Sequence, residues 1–589
     1  MRRGHFTILV SLSALAFSAP IHAQDGDTPK SSELHQIIDD FWAYSLEQYP
    51  EFASSLGVDD PDGRVSDYSL AGEDKRVEKA KAWLSQLDKI DQNSLSEDDK
   101  TNFGILHRSL SEQVEASTYG QRTINFTNRG GWHQSFASMQ NNLPFRNAQD
   151  YQTYINRLKK YGAIHSQSLS VANQALKGGY VQPCVSMVGY ETSISGLIKE
   201  DPKESRFFDP FERTKPDGID QASFDQLAAS AAETINTVIT PALKEHLDWY
   251  ETQYAPKCAK APGVSAQPGG DKYYDFRIRQ MTTTEKSADE IHNIGVSEVA
   301  RIRAEMVQVA KKAGFESREA FIEDLRTNPK YYAKTPEELM EKVARVTKLI
   351  DGKMPSIIGK LARLPYGIKE IPAETAEGTT TAYYNPGSPD VGIAGFYYVN
   401  TSKLDQRPFW EIPALSVHEA VPGHHMQIAL QQELDMPDFR KHGAFFTAFV
   451  EGWGLYSERL GIEMGLYDTP AKDMGRLSYE MWRATRLVVD TGIHSKGWSK
   501  QRAIDFMTDN TALSPANIEA EVNRYISWPG QALAYKMGEL KIRELRTKAT
   551  EQLGAKFDLR EFHDVVLGQG AVPLDILEAQ VNRWIEGKK

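Results

Sequence analysis

Apolar residues recur three and four positions apart along most of this chain. That period leaves helix as the main element open to it. In "SSELHQIIDDFWAYSLEQYP", Leu34, Ile37, Ile38, Phe41, Trp42 and Leu46 fall on one helical face. "SADEIHNIGVSEVARIRAEMVQVAKKAG" opens on Ser287 and Glu290, the spacing of a capping box, and closes on a glycine. "TPEELMEKVARVTKLI" opens on Thr335, with Pro336 at the first helical position and Glu338 at the third. Two stretches break the period. Residues 261–276, "APGVSAQPGGDKYYDF", are rich in Pro and Gly and are predicted to connect an N-terminal helical region (24–260) to the remainder (277–589). Residues 372–401 are rich in Thr, Tyr, Val and Gly and predict a small sheet that ends in the strand "GFYYVN". No internal repeat is visible.

The chain begins "MRRGHFTILVSLSALAFSAPIHAQ": two arginines, an apolar run, then a small residue at Ala23. This is the pattern of a secretory signal cleaved after residue 23, so the mature protein is expected to be secreted or periplasmic. No cysteine follows the run, which argues against a lipid anchor. No later stretch has the 20 or so apolar residues that a membrane span needs. The net charge of −12 argues against nucleic acid or an anionic membrane as the partner. Cys184 and Cys258 are the two cysteines, and in an exported chain they are expected to pair. Closing that loop would stabilise the fold by about 4 kcal/mol in the chain-entropy model.

Residues 418–425 read "HEAVPGHH". In a regular helix, residues four apart can reach one ion, but Pro422 stands four after His418. His418 and His424 are six apart, roughly 9 Å along a straight helix. Zn–N bonds of about 2.0–2.1 Å cannot span that distance. A zinc site therefore requires the helix to break, and Val421-Pro422-Gly423 is where proline and glycine predict the break. Downstream, "FVEGWGLYSERLG" carries Glu451 and Glu458 seven apart, on one face of an otherwise apolar helix. Buried carboxylates are costly unless paired or bound to a metal.

His-Glu, then Gly-His, then a Glu on a second helix resembles the gluzincin metallopeptidases, such as angiotensin-converting enzyme and the thimet-type oligopeptidases. Aligning Gly-His matches Gly423-His424, with two residues inserted. A closer resemblance is to a bacterial family catalogued as a domain of unknown function, through "HEAVPGHH", "EGWGLYSE" and "RYISWPGQALAYKMG" (524–538). It covers roughly residues 270–589. The resemblance implies a mainly α, two-lobed gluzincin-like helical metallopeptidase with a small β-sheet beside the active-site helix. It implies Zn(2+) held by His418, His424 and Glu451, with His425 as the rival of His424. Glu458 and His425 are expected to support the ligands.

On this reading Glu419 is the general base. His494, Tyr525 and Tyr535 are candidates to stabilise the oxyanion, since the similar peptidases use a His and a Tyr from late helices. Arg524 is a candidate to receive a substrate carboxylate. "GFYYVN", with Tyr398 and Asn400, is expected to be an edge strand that pairs with a short extended peptide. The oligomeric state is left open. Two other classes are compatible with the residues: a non-catalytic periplasmic binding protein on a peptidase fold, and a zinc amidohydrolase of a non-peptide amide. Glu419 beside His418 favours an enzyme, because a binder needs no base there.

Overall fold

A computed structural model describes residues 29–376, 379–389 and 392–589. The expected signal segment, 1–23, lies outside the described residues. The fold is mainly helical, with one three-stranded sheet.

The caps read from the sequence form. The Ser287 hydroxyl accepts from the Glu290 amide, and the Glu290 carboxylate accepts from the Ser287 amide. These open α1 (Ala288–Lys312). Thr335 caps Pro336–Asp351 in the same way through the amide of Glu338. The sheet consists of β1 (Tyr366–Glu370), β2 (Ala382–Asn385) and β3 (Gly395–Val399). The helices that follow build the site: α2 (Ile412–Glu419), α3 (His424–Glu433), α4 (Thr447–Leu460), α5 (Pro470–His494), α6 (Pro515–Ser527) and α7 (Ala534–Leu553).

The core is divided in a way the sequence did not suggest. Leu34, Trp83 and Leu106 pack in one apolar cluster with Trp453, Ile542 and Leu577. The first helices therefore share a core with the last. Residues between Phe126 and Tyr254 form a separate, aromatic-rich core. The expected connection over 261–276 is only in part a connection. Val264–Ala266 forms a helical turn, and a helix runs from Gly270 to Thr282. The segment is anchored because the buried Val264 amide donates to His494 Nδ1.

Cys184 and Cys258 form a disulfide across a sequence separation of 74, with Cα atoms 5.0 Å apart. A short parallel bridge between Pro183 and Ala259 brings them together; the Cys184 amide donates to Ala259 O, and the Ala259 amide donates to Gln182 O.

The sheet order is β1-β3-β2, with β3 parallel to β1 and antiparallel to β2. This corrects the expectation for "GFYYVN". That strand is central, and its backbone groups are taken by both neighbours, so it has no free edge for a peptide.

Candidate metal centre

The helix breaks where proline and glycine require. α2 ends at Glu419, residues 420–423 form a turn with a cis Val421–Pro422 peptide, and α3 starts at His424. The Trp453 indole donates to Pro422 O at 2.7 Å and ties the turn to α4. Gly423 is required by space. A Cβ there would lie 1.9 Å from His418 O and 2.4 Å from Val417 O, both backbone atoms. The turn folds α3 back so that the two imidazole rings meet, with centroids 4.7 Å apart and planes perpendicular.

Glu451, on α4, closes the set. Its Oε2 lies 3.6 Å from His418 Nε2 and 3.3 Å from His424 Nε2. One ligand atom from each of His418, His424 and Glu451 falls within 4.8 Å of the others. Glu451 Oε2 is buried and has no hydrogen-bond partner among the described residues. A buried, unpaired carboxylate oxygen facing two imidazole nitrogens fits a cation better than it fits an apolar core.

The surroundings orient these groups. His418 Nδ1 lies 2.8 Å from Glu458 Oε1, and Arg483 Nη2 lies 3.1 Å from the same oxygen. A carboxylate on Nδ1 fixes the tautomer and turns the Nε2 lone pair toward Glu451. Burial alone would depress the pKa of His418. The neighbouring carboxylates of Glu451, Glu458 and Glu419 outweigh it and lift the value to about 9. Burial likewise favours protonated Glu451, but the imidazoles hold its carboxyl well below the usual range. The field at these atoms thus favours positive charge. Glu419 is largely buried, and makes no hydrogen bond or ion pair with any described residue.

A model of the family described as "Bacterial protein of unknown function (DUF885)" matches residues 50–581. The chain belongs to this family. None of the curated proteins matches this DUF885 chain. Two solved structures resemble it. One is the crystal structure of the "putative lipoprotein" from Colwellia psychrerythraea, 27% identical, with a TM-score of 0.88, covering 95% of this chain and 100% of that one. The other is a "putative lipoprotein of unknown function" from Shewanella oneidensis, 19% identical, with a TM-score of 0.68, covering 94% and 99%. The second likeness carries the fold alone.

The remaining candidates of the DUF885 chain fall into two groups. Near the triad stands Tyr535, whose ring is nearly parallel to that of His418 at 6.5 Å. Arg524 Nη2 donates to the Tyr535 hydroxyl at 3.0 Å. The others have structural duties. His425 points away: Nδ1 meets the Tyr384 hydroxyl at 2.9 Å and Nε2 meets Leu364 O at 3.0 Å. Burial, partly opposed by the Leu364 carbonyl, lowers its pKa to about 4.

His494 is fully buried, with Nδ1 accepting from the Val264 amide and Nε2 facing Tyr525 O at 2.9 Å. Both nitrogens are used, so it has nothing to offer an oxyanion. The Tyr525 hydroxyl accepts from Trp482 and Arg486 inside the core. Asn400 is fully buried and holds a turn; its amide donates to Ala376 O, Thr379 O and Thr380 O. Tyr398 stacks on Tyr383 on the sheet face opposite Tyr397. Arg483, which anchors Glu458, was not foreseen. The signal for it was present: a helix buried on all sides that still carries Arg476, Arg483 and Arg486.

Proposed function

We propose that this chain is an exported zinc peptidase that cleaves short peptides. The observation that carries the reading is the convergence of His418, His424 and Glu451 around an unpaired, buried carboxylate oxygen, with an uncommitted Glu419 next to the first ligand. His418, His424 and Glu451 would hold the ion and leave a fourth position open. When bound, zinc polarises a carbonyl and lowers the pKa of water toward 7.

The chain's own residues supply the rest. Glu419 takes a proton from the attacking water and delivers it to the leaving amine. Glu458, held by Arg483, keeps His418 in its ligating tautomer. Tyr535, whose ring faces that of His418, serves the oxyanion, with its oxygen steadied by Arg524. β2, an outer strand of the sheet among the described residues, packs against α2 and takes the peptide-pairing role first given to β3.

The donors are nearly buried, so a scissile bond must reach them on an extended strand. That favours short or unfolded peptides over folded proteins. Export is supported by the disulfide and by the description of the Colwellia protein as a lipoprotein.

Metal analysis of purified protein should give about one zinc per chain, lost in His418→Ala and in Glu451→Ala. Glu419→Gln should keep the zinc while hydrolysis of peptides of about 3–15 residues falls at least about 100-fold. Full zinc retention in both ligand variants, or near-normal turnover in Glu419→Gln, would overturn the reading.

A further inference from the structure

Next to Tyr535 lies a group of arginines whose charges are not balanced. Arg486, fully buried on α5, donates to Glu521 Oε2 at 2.8 Å, and its guanidinium sits 4.3 Å over the Tyr535 ring. Arg524, on α6, shares the same Glu521 at 3.2 Å and also donates to Gln531 and to the Tyr535 hydroxyl. Glu521 is fully buried. Burial works against its charge, but Arg524 and Arg486 outweigh that and hold its pKa at about 2. One carboxylate thus serves two guanidinium groups. Donors are left over: Arg486 Nη1 and Arg524 Nε are buried without a partner among the described residues. Leaving such donors empty is costly, so their presence points to a ligand.

A third arginine is brought toward this group from the N-terminal half of the chain. Arg129 sits in the tight turn closed by Thr127 and Gly130, whose backbones exchange hydrogen bonds at 2.9 and 3.1 Å. The turn is held against α6. Gln182 donates to Phe126 O at 3.0 Å and to Ser527 O at 3.4 Å, and Ser527 Oγ meets Ser186 Oγ at 3.0 Å. The Arg129 side chain is exposed and makes no ion pair with any described residue. Nevertheless, the surrounding protein and then the charge of Arg524 lower its pKa, with Glu521, Tyr535 and Arg486 also in range. The Gln182 contacts bring the turn that carries Arg129 to the C-terminal end of α6, the end that carries Arg524.

We infer that Arg129 and Arg524, backed by Arg486, form the receptor for a carboxylate of the substrate peptide. The inference rests on the peptidase reading and adds its specificity. Arg486 and Arg524 share the single carboxylate of Glu521, Arg524 reaches the Tyr535 hydroxyl, and Arg129 adds a third guanidinium from the adjoining turn. Guanidinium groups match a carboxylate in geometry as well as charge. The Tyr535 ring links the two groups: the His418 ring is 6.5 Å from it, and the Arg486 and Arg524 guanidinium groups are 4.3 and 5.6 Å from its centre. A peptide whose carboxylate meets Arg129 and Arg524 therefore presents a bond near its C-terminal end to His418, His424 and Glu451.

The test is binding, not turnover. Isothermal titration of the Glu419→Gln protein would compare N-acetyl-trialanine with a free carboxylate, the same peptide amidated, and N-acetyl-Ala-Ala-Glu amide. The free acid should bind at least about tenfold more tightly than the amide. Arg129→Gln should remove most of that difference, with zinc content and Tm unchanged, because the residue is exposed and unpaired. Recovery of the difference by the glutamyl amide would mean that a side-chain carboxylate fills the receptor as well as a chain end. Equal binding of acid and amide, no binding of either, or a difference that survives Arg129→Gln would overturn the inference. The two readings fail separately. Zinc-free, inactive protein that still prefers the acid sinks only the peptidase. Active protein that is indifferent to the carboxylate sinks only the receptor.

Discussion

His133 and His246 are fully buried in the aromatic core of residues 126–254, and the structure makes the cost of charging them calculable. The His246 ring stacks on Trp132 at 4.1 Å and meets His133 edge-on at 4.9 Å, and neither of its nitrogens has a hydrogen-bond partner among the described residues. Burial lowers His133 to about 3; burial, and then the neighbouring histidines, lower His246 to about 2. His165 completes the cluster, with Glu245 at 3.3 Å as the charged group facing it.

Unfolded histidine titrates near 6.5. Both folded values are depressed, so the stability is present above pH 6.5 and is lost as pH falls from there toward the folded values. At pH 5 each unfolded histidine contributes about 2 kcal/mol of protonation energy that the folded state cannot match, roughly 4 kcal/mol for the pair. His246→Phe keeps the stacked ring and removes one of the two. Its stability should fall by about 2 kcal/mol less than wild type between pH 7.5 and pH 5. Unfolding in urea at pH 5, followed by pH-stat, should take up about one proton fewer. Any metal lost at low pH would be lost from both proteins and cancels in the difference. Equal proton uptake by the two proteins would show that His246 is charged or solvated in the fold, and would refute the reasoning.

Glu458→Gln should weaken zinc binding about 10- to 100-fold in a competitive chelator titration, because the amide loses the charge that fixes the His418 tautomer. Gly423→Ala should abolish zinc binding by metal analysis while the circular dichroism spectrum stays helical, since its Cβ would strike two backbone carbonyls of α2. In Gly538→Ala the Cβ would lie 1.8 Å from Ala448 O and 2.8 Å from Gly452 Cα, forcing α7 off α4. We expect a stability loss of at least about 1–3 kcal/mol by thermal melting, and weaker zinc binding, because α4 carries Glu451.

The legible part of the molecule was the part governed by local rules. Caps at Ser287 and Thr335 are decided by a few neighbouring residues, and they form as read. The helix break in "HEAVPGHH" is equally local: proline and glycine disrupt a helix wherever they stand. From that break, and from the resemblance that singled out Glu451, one could name His418, His424 and Glu451, the three residues that the structure brings together. The choice of His424 over His425 was not local. It depends on which ring the turn aims at Glu451, and on Tyr384 and Leu364 having occupied the other.

What could not be read depends on partners far away in the chain. A strand's own residues say that it is a strand, but its place in the sheet is set by which strands flank it. "GFYYVN" alternates buried and half-buried residues as an edge or a central strand would, and only the pairing with Tyr366–Glu370 shows that it is central. His494 and Asn400 are polar residues that a sequence offers equally to a site or to the backbone; the carbonyls and amide that claim them belong to segments whose approach no periodicity encodes. Arg129 is the extreme case. Nothing around "TNRGG" distinguishes it from a surface turn, and its approach to the end of α6 arises from Gln182 bridging Phe126 O to Ser527 O across a sequence separation of 345. If Arg129 and Arg524 form the receptor proposed above, that bridge is what sets peptide preference, because it brings a charge from one half of the chain to the helix end that carries Arg524.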